Sequence, residues 1–454
     1  MYTREALLRA FDPDLAESIL TDRAPSVASL RLGEAVYNGM LCPTGLALVD
    51  CHDEAAVRRA VRFAADESLP VAVLNGGHDP WGRGLRDDHL VLNVRPIRHV
   101  SIDAENRRAT IGGGALAEDV LAVLPNEFAI ATGTVTSVGM VGLTSGGGYG
   151  MLTSRVGLAS DSLLAARVVL ADGSVAIADE RHDSDLLWAL RGGGTGFGVV
   201  TEMTIALHAL PNLLAALVVV PLDAAEQAML LAQTLIDENP VELGLFMGLM
   251  MTPGGPALVQ SPLWSGGREQ GESIVDQLAA VPGAQCIQRR WTSFRNSFDP
   301  GLEKAWPKGH HYHFLSRNIT RLDEAAIKCL IASVHRIISP TQAIVLHDFH
   351  GTAARVGAAE TAFALRNDHY VVEAIAGWDP NSGADVLALR NWVDSTILDL
   401  ESVSLPGGYS NLLGPEESDR VRDFYGASGT RLRIVKNRVD PHDMFRSAIG
   451  RLDV

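Results

Sequence analysis

The sequence predicts an α+β protein in two parts, and three observations carry that reading. Strand-like and helix-like segments alternate from Leu46 to about Leu207; three glycine-dense loops interrupt them; and around Pro211 the glycine signal stops and the texture changes. The alternation indicates α/β layering. The later pattern indicates an antiparallel sheet with helices on one face.

Taken in order, residues from Met1 to about Asn38 have apolar positions at helical spacing, as in Leu7, Leu8, Phe11 and Leu15, which predicts an N-terminal helical cover. LALVDC from Leu46 reads as a strand, Glu54 to Glu67 as an amphipathic helix, and Pro70 to Leu74 as a strand ending at the first glycine loop, Asn75 to Gly84. Leu90 to Val94, Val100 to Asp103 and Ala109 to Gly112 read as short strands, and Ala117 to Val123 as a helix. Between Gly139 and Gly150 six of twelve residues are glycine, a density unfavourable to a packed helix or strand because each glycine loses much backbone entropy on folding. Something must approach this backbone closely. Leu164 to Leu170 and Val175 to Ala178 form a hairpin around Asp172-Gly173, Asp183 to Leu190 a helix ending at the third glycine cluster, Arg191 to Thr201, and Val199 to Leu207 a closing strand. Beyond Pro211, strands such as Ala215 to Val220, Leu243 to Met251, Ala257 to Pro262, Ile344 to His350 and Tyr370 to Trp378 alternate with helices such as Ala224 to Ile236 and Glu324 to Ile337. A helix from Gly383 to Glu401 leads to a charged helical tail from Glu416 to Asp443.

Composition narrows the function. A length of 454 residues with 47% hydrophobic and 20% charged content is that of a globular protein with large cores. The formal charge of −16 disfavours nucleic acid or an anionic membrane as partner and favours a small molecule. Cys42, Cys51, Cys286 and Cys329 lack CxxC spacing and read as reduced, buried thiols. The N-terminus has no secretory pattern, and the longest apolar run, Leu213 to Leu222, is about half a membrane span, so a cytoplasmic protein is expected.

The glycine loops, each beside an apolar run, suit phosphates held by backbone N–H groups. Yet GxGxxG, GK, GxSxG and HExxH are all absent, so a dinucleotide fingerprint, a Walker loop and the commonest hydrolase and zincin motifs have no support. What stands instead is a set of blocks in a fixed order: NGGH with glycine four residues after the histidine, VGxxGLTxGGGYG, RxGLxxD, a strand ending in ADG, and DLLWALRGGGTGFGVVT. In combination these resemble the FAD-linked oxidases of the vanillyl-alcohol-oxidase, or PCMH, type, in the branch that includes berberine bridge enzyme and bacterial 6-hydroxynicotine oxidases. Tyr409-Ser410-Asn411 and Lys436, Asp440-Pro441 and Phe445 of the tail extend the likeness.

The resemblance implies a two-part FAD-binding domain, residues 1–208 completed by 403–454, around an inserted substrate domain, 209–402. It implies cofactor contacts from Asn75, Gly76, Gly77, His78, Asp79 and Gly82 in the first loop. The central block adds Val138, Gly139, Gly142, Gly146, Gly147, Gly148, Tyr149 and Gly150; the third loop adds Gly198, Val199 and Val200, and the tail adds Asn411. His78 occupies the place where a ring nitrogen bonds to the flavin 8α-methyl carbon, the plainer reading being a loop histidine beside phosphate. Val135 stands where doubly attached members carry cysteine, so attachment through His78 alone is expected. Leu74 replaces an arginine of many relatives, which shifts phosphate holding to N–H groups. Val138 occupies a position where a small residue is associated with dioxygen reaching the flavin.

The implied reaction is hydride transfer from a C–H beside a hydroxyl or amine to flavin N5, with dioxygen returning the flavin to its oxidised state and leaving hydrogen peroxide. A dehydrogenase of the same fold, or a flavin-binding protein without turnover, are the alternatives. Two residues compete as base. Tyr409 resembles the tyrosine of the family's Y-x-N motif, although holding a phenol ionised at pH 7 costs about 4 kcal/mol without help. Glu373 shares a strand face with His369, Val371 and Ile375, where burial between apolar neighbours would raise its pKa. Tyr149, Tyr312, Phe314, His347 and Phe349 are expected to wall the substrate pocket. No metal is expected from His310-His311-Tyr312-His313 or from His347-Asp348-Phe349-His350, since adjacent histidines on a strand point apart.

Overall fold

Short apolar segments buried on both faces pair side by side in the first layer. In the computed structural model, which describes residues 19–20, 36–41, 47–86 and 88–446, β1 (Ile19–Leu20), β2 (Ala47–Asp50), β3 (Val71–Leu74) and β4 (Leu90–Asn93) run in the order β1-β2-β4-β3. β2 and β3 flank β4 in parallel, and β1 pairs antiparallel on the edge. The helix Glu54–Asp66 supplies the crossover. Its buried stripe of Ala56, Val57, Ala60, Val61 and Ala64 recurs at three- and four-residue spacing, and Asp53 caps it by accepting from Ala56 N at 2.7 Å.

A second sheet continues the same unit. β5 (Val100–Asp103), β6 (Arg108–Gly112), β8 (Leu163–Val169), β9 (Val175–Ala178) and β10 (Val199–Ala206) pair antiparallel in the order β5-β6-β10-β8-β9, beside a ribbon of β7 (Phe128–Ala129) and β11 (His208–Ala209).

β12 (Leu213–Pro221), β13 (Leu243–Thr252), β14 (Gly255–Trp264), β15 (Gln285–Thr292), β16 (His311–Ile319), β17 (Gln342–Phe349) and β18 (His369–Trp378) then form an antiparallel sheet in the order β15-β12-β14-β13-β17-β18-β16. One face is sealed: Leu245, Met247, Leu249, Ile344, Leu346, Val372 and Ala374 share a core with apolar residues of the helices Ala225–Glu238, Arg268–Ala279, Glu324–Val334 and Val386–Leu400. The residues alternating with them are left to face the glycine loops. The α+β class and the antiparallel sheet with helices on one face agree with the sequence reading.

The tail returns to the first unit through the helices Ser418–Tyr425 and Ser428–Val439, whose Phe424, Tyr425, Leu432 and Val435 enter its core. Lys436 fastens this return. Its Nζ donates to Gly196 O at 2.7 Å, to Asp440 Oδ2 at 2.6 Å and to Phe445 O at 2.6 Å. Asp440, buried, accepts from the N–H groups of Met444 and Phe445, and Val71 N donates to Met444 O at the start of β3. No helix among the described residues is long and apolar enough to cross a membrane.

Three expectations are corrected. Ile19–Leu20 is a strand inside the stretch read as helical, held by pairing with Val49 and Leu48; the rest of that stretch up to residue 35 lies outside the described residues. Met140–Gly146 is helical despite its glycines: at its end a Cβ on Gly146 would strike the Asn411 side chain, whereas Gly142 stands in open space. Cys286 is exposed on the edge strand β15, whereas Cys51 is buried and Cys329 half-buried; Cys42 lies outside the described residues.

Replacing Lys436 by methionine leaves Asp440 buried without its cation, an effect of about 3–5 kcal/mol. Lys436→Met is therefore expected to melt several degrees below wild type in thermal denaturation; an unchanged melting temperature would remove this tie as a structural support.

Candidate active site

The glycine loops and the free face of the large sheet enclose a cavity of about 650 Å³. Its floor comes from the loop after β3, from the segment 133–143 and from Thr195 to Gly198; its roof comes from Phe246 on β13, Tyr312 and Phe314 on β16, Val345 and His347 on β17, and Val371, Glu373 and Ile375 on β18. The roof residues alternate along their strands, which is how one sheet face supplies a wall.

Glycine is required where the floor closes. A Cβ on Gly76 would run into the backbone of Gly139, and a Cβ on Gly139 into Asn75 and Gly76. Asn75 locks this contact: its Nδ2 donates to Gly113 O, its Oδ1 accepts from Gly76 N at 2.6 Å, and its carbonyl accepts from Arg95 Nε at 2.7 Å. The turn leaves the N–H groups of Gly77, His78 and Asp79 without hydrogen-bond partners among the described residues. Unpaired half-buried amides in a row are a set of donors for an anion. Arg446 lines the same cavity and brings positive charge that Leu74, buried in the sheet, does not, while Arg83, also at the lining, is paired with Asp79 at 2.6 Å. A cavity of this size lined by open amide donors, cations, aromatic rings and acid groups fits a flavin dinucleotide.

His78 sits at that floor with its ring stacked on Tyr37, centroids 4.9 Å apart at 21°. Burial pushes its pKa down to about 4, with Lys308 adding to the effect and Glu303 opposing it, so the imidazole is neutral at pH 7. Val135 and Val138 line the cavity beside it.

Tyr409 lies in the loop before the tail helices and is buried. Its hydroxyl oxygen accepts from Gly148 N at 3.0 Å and from Asn411 Nδ2 at 2.9 Å. These donors lower the phenol pKa, but burial outweighs them and pushes it up to about 12. Tyr149 packs edge-on against it, centroids 4.6 Å apart, and donates its hydroxyl to His369 Nε2 at 2.6 Å, since His369 Nδ1 donates to Asn367 O at 2.7 Å. Glu373 faces the cavity half-buried, with Oε1 3.0 Å from His347 Nε2. It has a partner where the sequence reading saw only apolar neighbours. Tyr409 is within electrostatic reach of Glu373.

The cavity thus gathers Asn75, Gly76, Gly77, His78, Asp79, Gly82, Val138, Gly139, Gly142, Tyr149, Gly198, Val200 and Asn411 of the expected cofactor residues, and Tyr312, Phe314 and His347 of the expected pocket wall. Others fall behind it. Gly146 abuts the Asn411 side chain, and Gly147 abuts Phe363; Gly148 serves through its N–H to Tyr409, and Gly150 packs against Thr132. Val199 points into the core opposite Val200 by strand alternation. Phe349, expected in the pocket wall, is instead stacked on His369 at 4.3 Å, shielded from the cavity by Tyr149.

Several lining residues escaped the sequence reading: Tyr37, Phe246, Glu303, Trp306, Lys308 and Arg446. Phe246 was findable, since it alternates with Leu245 and Met247 on a strand already recognised. Glu303 was not: it reaches across the chain to accept from Ser137 N at 2.9 Å, Ser137 Oγ at 2.8 Å and Thr136 Oγ1 at 3.2 Å.

Comparison with known proteins agrees with this architecture. The FAD binding domain family matches residues 45–179, and the berberine and berberine-like family matches residues 408–450. Across 97% of this chain and 86% of the relative, the sequence is 27% identical to the FAD-linked oxidoreductase aurO of Gibberella zeae. Over 163 residues, 36% of each chain, it is 39% identical to (R)-6-hydroxynicotine oxidase of Paenarthrobacter nicotinovorans. Among solved structures, 6-hydroxy-D-nicotine oxidase from Arthrobacter nicotinovorans shares the fold with a TM-score of 0.83 at 23% identity, covering 94% of this chain and 96% of that one. With an FAD binding domain early in the chain and a berberine-like segment in its tail, the chain matches the PCMH-type, berberine-bridge-enzyme-like pattern and is an FAD-dependent oxidoreductase.

Proposed function

We propose that the protein is an oxidase that removes hydride from a C–H next to a hydroxyl or amine of a small organic substrate, with Glu373 as base and His78 as sole covalent anchor for FAD. When bound, FAD supplies the hydride acceptor and passes the electrons to dioxygen, giving hydrogen peroxide. The observation that carries the reading is the Glu373–His347 pair, 3.0 Å apart, facing the cavity that holds His78 and Tyr409.

The residues divide the work by their charge state. Ionising a phenol whose pKa is about 12 costs about 7 kcal/mol at pH 7, so Tyr409 is present as the neutral hydroxyl. Its oxygen already accepts two N–H groups, which leaves its own hydrogen to donate to a substrate oxygen or nitrogen. Glu373 takes the substrate O–H or N–H proton, and His347 holds the carboxylate in place. The aromatic roof of Phe246, Tyr312 and Phe314 excludes water and suits a secondary metabolite with an apolar ring system over a freely hydrated sugar. Val138 borders the floor with a side chain small enough to let dioxygen in.

Purified wild-type protein precipitated with acid is expected to keep its yellow colour in the pellet, and His78→Ala to release it; colour in the wild-type supernatant refutes the covalent bond. Glu373→Gln is expected to slow substrate-driven flavin reduction by about 10²–10⁴-fold, the usual worth of a general base. Tyr409→Phe should have a smaller effect. Between pH 8 and 10 the wild-type reduction rate should stay flat, because a phenol of pKa about 12 remains almost wholly protonated there; a rate climbing about tenfold per pH unit would transfer the role of base to Tyr409. Val138→Leu should slow reoxidation by dioxygen while leaving the reduction half-reaction intact, and equal reoxidation rates in stopped flow would rule out this position as the oxygen path.

A further inference from the structure

The chain from Val36 to Leu41 crosses from the flavin-side floor to the sheet roof, and hydrogen bonds tie it to both. Tyr37 N donates to Gly77 O at 2.8 Å, next to His78. Asn38, buried, donates from Nδ2 to Pro80 O at 3.1 Å on the floor and to Tyr312 O at 3.0 Å on the roof, while its Oδ1 accepts from Tyr312 N at 3.0 Å. Gly39 N donates to His310 O, and Gly309 N donates to Tyr37 O at 2.9 Å. A side chain on Gly39 would strike the Gly309 backbone, so this approach requires glycine.

At its centre the Tyr37 ring lies between two others. It stacks on His78 at 4.9 Å and 21° on one side, and on Tyr312 at 4.9 Å and 12° on the other. The Tyr312 hydroxyl in turn donates to Pro307 O at 2.6 Å, which fixes that outer ring. A ring clamped at both faces has little rotational freedom to lend to its neighbour.

From this sandwich we infer that Tyr37 is a positioning residue: it fixes the plane of the His78 imidazole and couples that plane to the substrate roof through Tyr312. The inference rests on the reading of His78 as the flavin anchor. Bond formation there replaces the imidazole N–H and one flavin methyl C–H by an N–C bond; the two protons and two electrons released are taken by dioxygen as hydrogen peroxide. The ring must present its nitrogen edge to the methyl carbon, and stacking sets that edge.

The test compares wild type, Tyr37→Phe and Tyr37→Ala, each purified with FAD, by total flavin content, fraction of flavin precipitating with protein in acid, visible spectrum and melting temperature. Tyr37→Phe keeps both stacking faces and should match wild type in attached fraction. Tyr37→Ala should bind FAD but attach about tenfold less, less than the hundredfold that a misplaced reacting group can cost. A Tyr37→Ala protein with wild-type attachment and spectrum overturns the inference, as does a Tyr37→Phe protein as impaired as Tyr37→Ala. If wild type itself attaches no flavin, the His78 reading fails separately, and the spectrum decides: bound flavin in Tyr37→Ala must then show a band shape different from that in wild type and Tyr37→Phe, and identical spectra overturn the role of Tyr37. Tyr37→Ala protein that takes up no FAD while Tyr37→Phe does so normally supports the ring as a necessary element of the site.

Discussion

The contact on which the site depends is the meeting of two backbones at Gly76 and Gly139. Neither position has room for a single carbon beyond the main chain, and the Asn75 amide, packed against Gly139, ties Gly76 to Gly113 through both of its ends. Because buried backbone is normally paired, a half-buried turn that leaves three successive N–H groups open among the described residues is a set of donors for a ligand. The same contact delivers His78 to the floor and starts the helix Met140–Gly146, whose far end meets Asn411. Floor, His78 and polar tail residue are thus set by one close approach.

The tail completes what the floor begins. Residues more than two hundred positions apart meet at Lys436, whose three acceptors come from the third glycine loop, its own helix end and the segment that abuts β3. Asp440 neutralises the lysine and orders Met444 and Phe445 through their N–H groups. Phe445 and Arg446 thereby reach the cavity from the end of the described chain, and the positive charge missing at Leu74 is restored from a different part of the sequence.

How much of this was legible follows from the range of the interactions. Local pattern exposed the strands and helices, because period and turn chemistry act over a few residues, and the glycine loops announced close approach before any partner was known. The seven-stranded sheet was legible as a class but not in its order, which depends on pairings such as Val345 with Glu373 that leave no mark in either strand. The resemblance to a family brought His78, Tyr409 and Asn411 into one site. Composition and periodicity could not have done so. Phe349 shows the limit from the other side: its alternation with His347 is as expected, yet the strand runs past the cavity rim, and the neighbour Tyr149 from a distant loop takes the place it was assigned. Tyr37 and Glu303 were illegible for the same physical reason, since each acts through partners separated from it by tens to hundreds of residues.

Burial then sorts the chemistry. His78, His369, Tyr149 and Tyr409 are all driven to their neutral forms by loss of solvent, the histidines downward and the phenols upward. A neutral imidazole keeps a lone pair and a neutral phenol keeps a hydrogen, so these groups can bond, donate and orient, whereas none can draw a proton cheaply from a substrate. Glu373 stands apart from these four: its carboxyl faces the cavity, with Oε1 3.0 Å from His347 Nε2. In the proposed reaction, desolvation therefore makes Tyr409 the hydrogen-bond donor and gives the part of base to the acid on the roof.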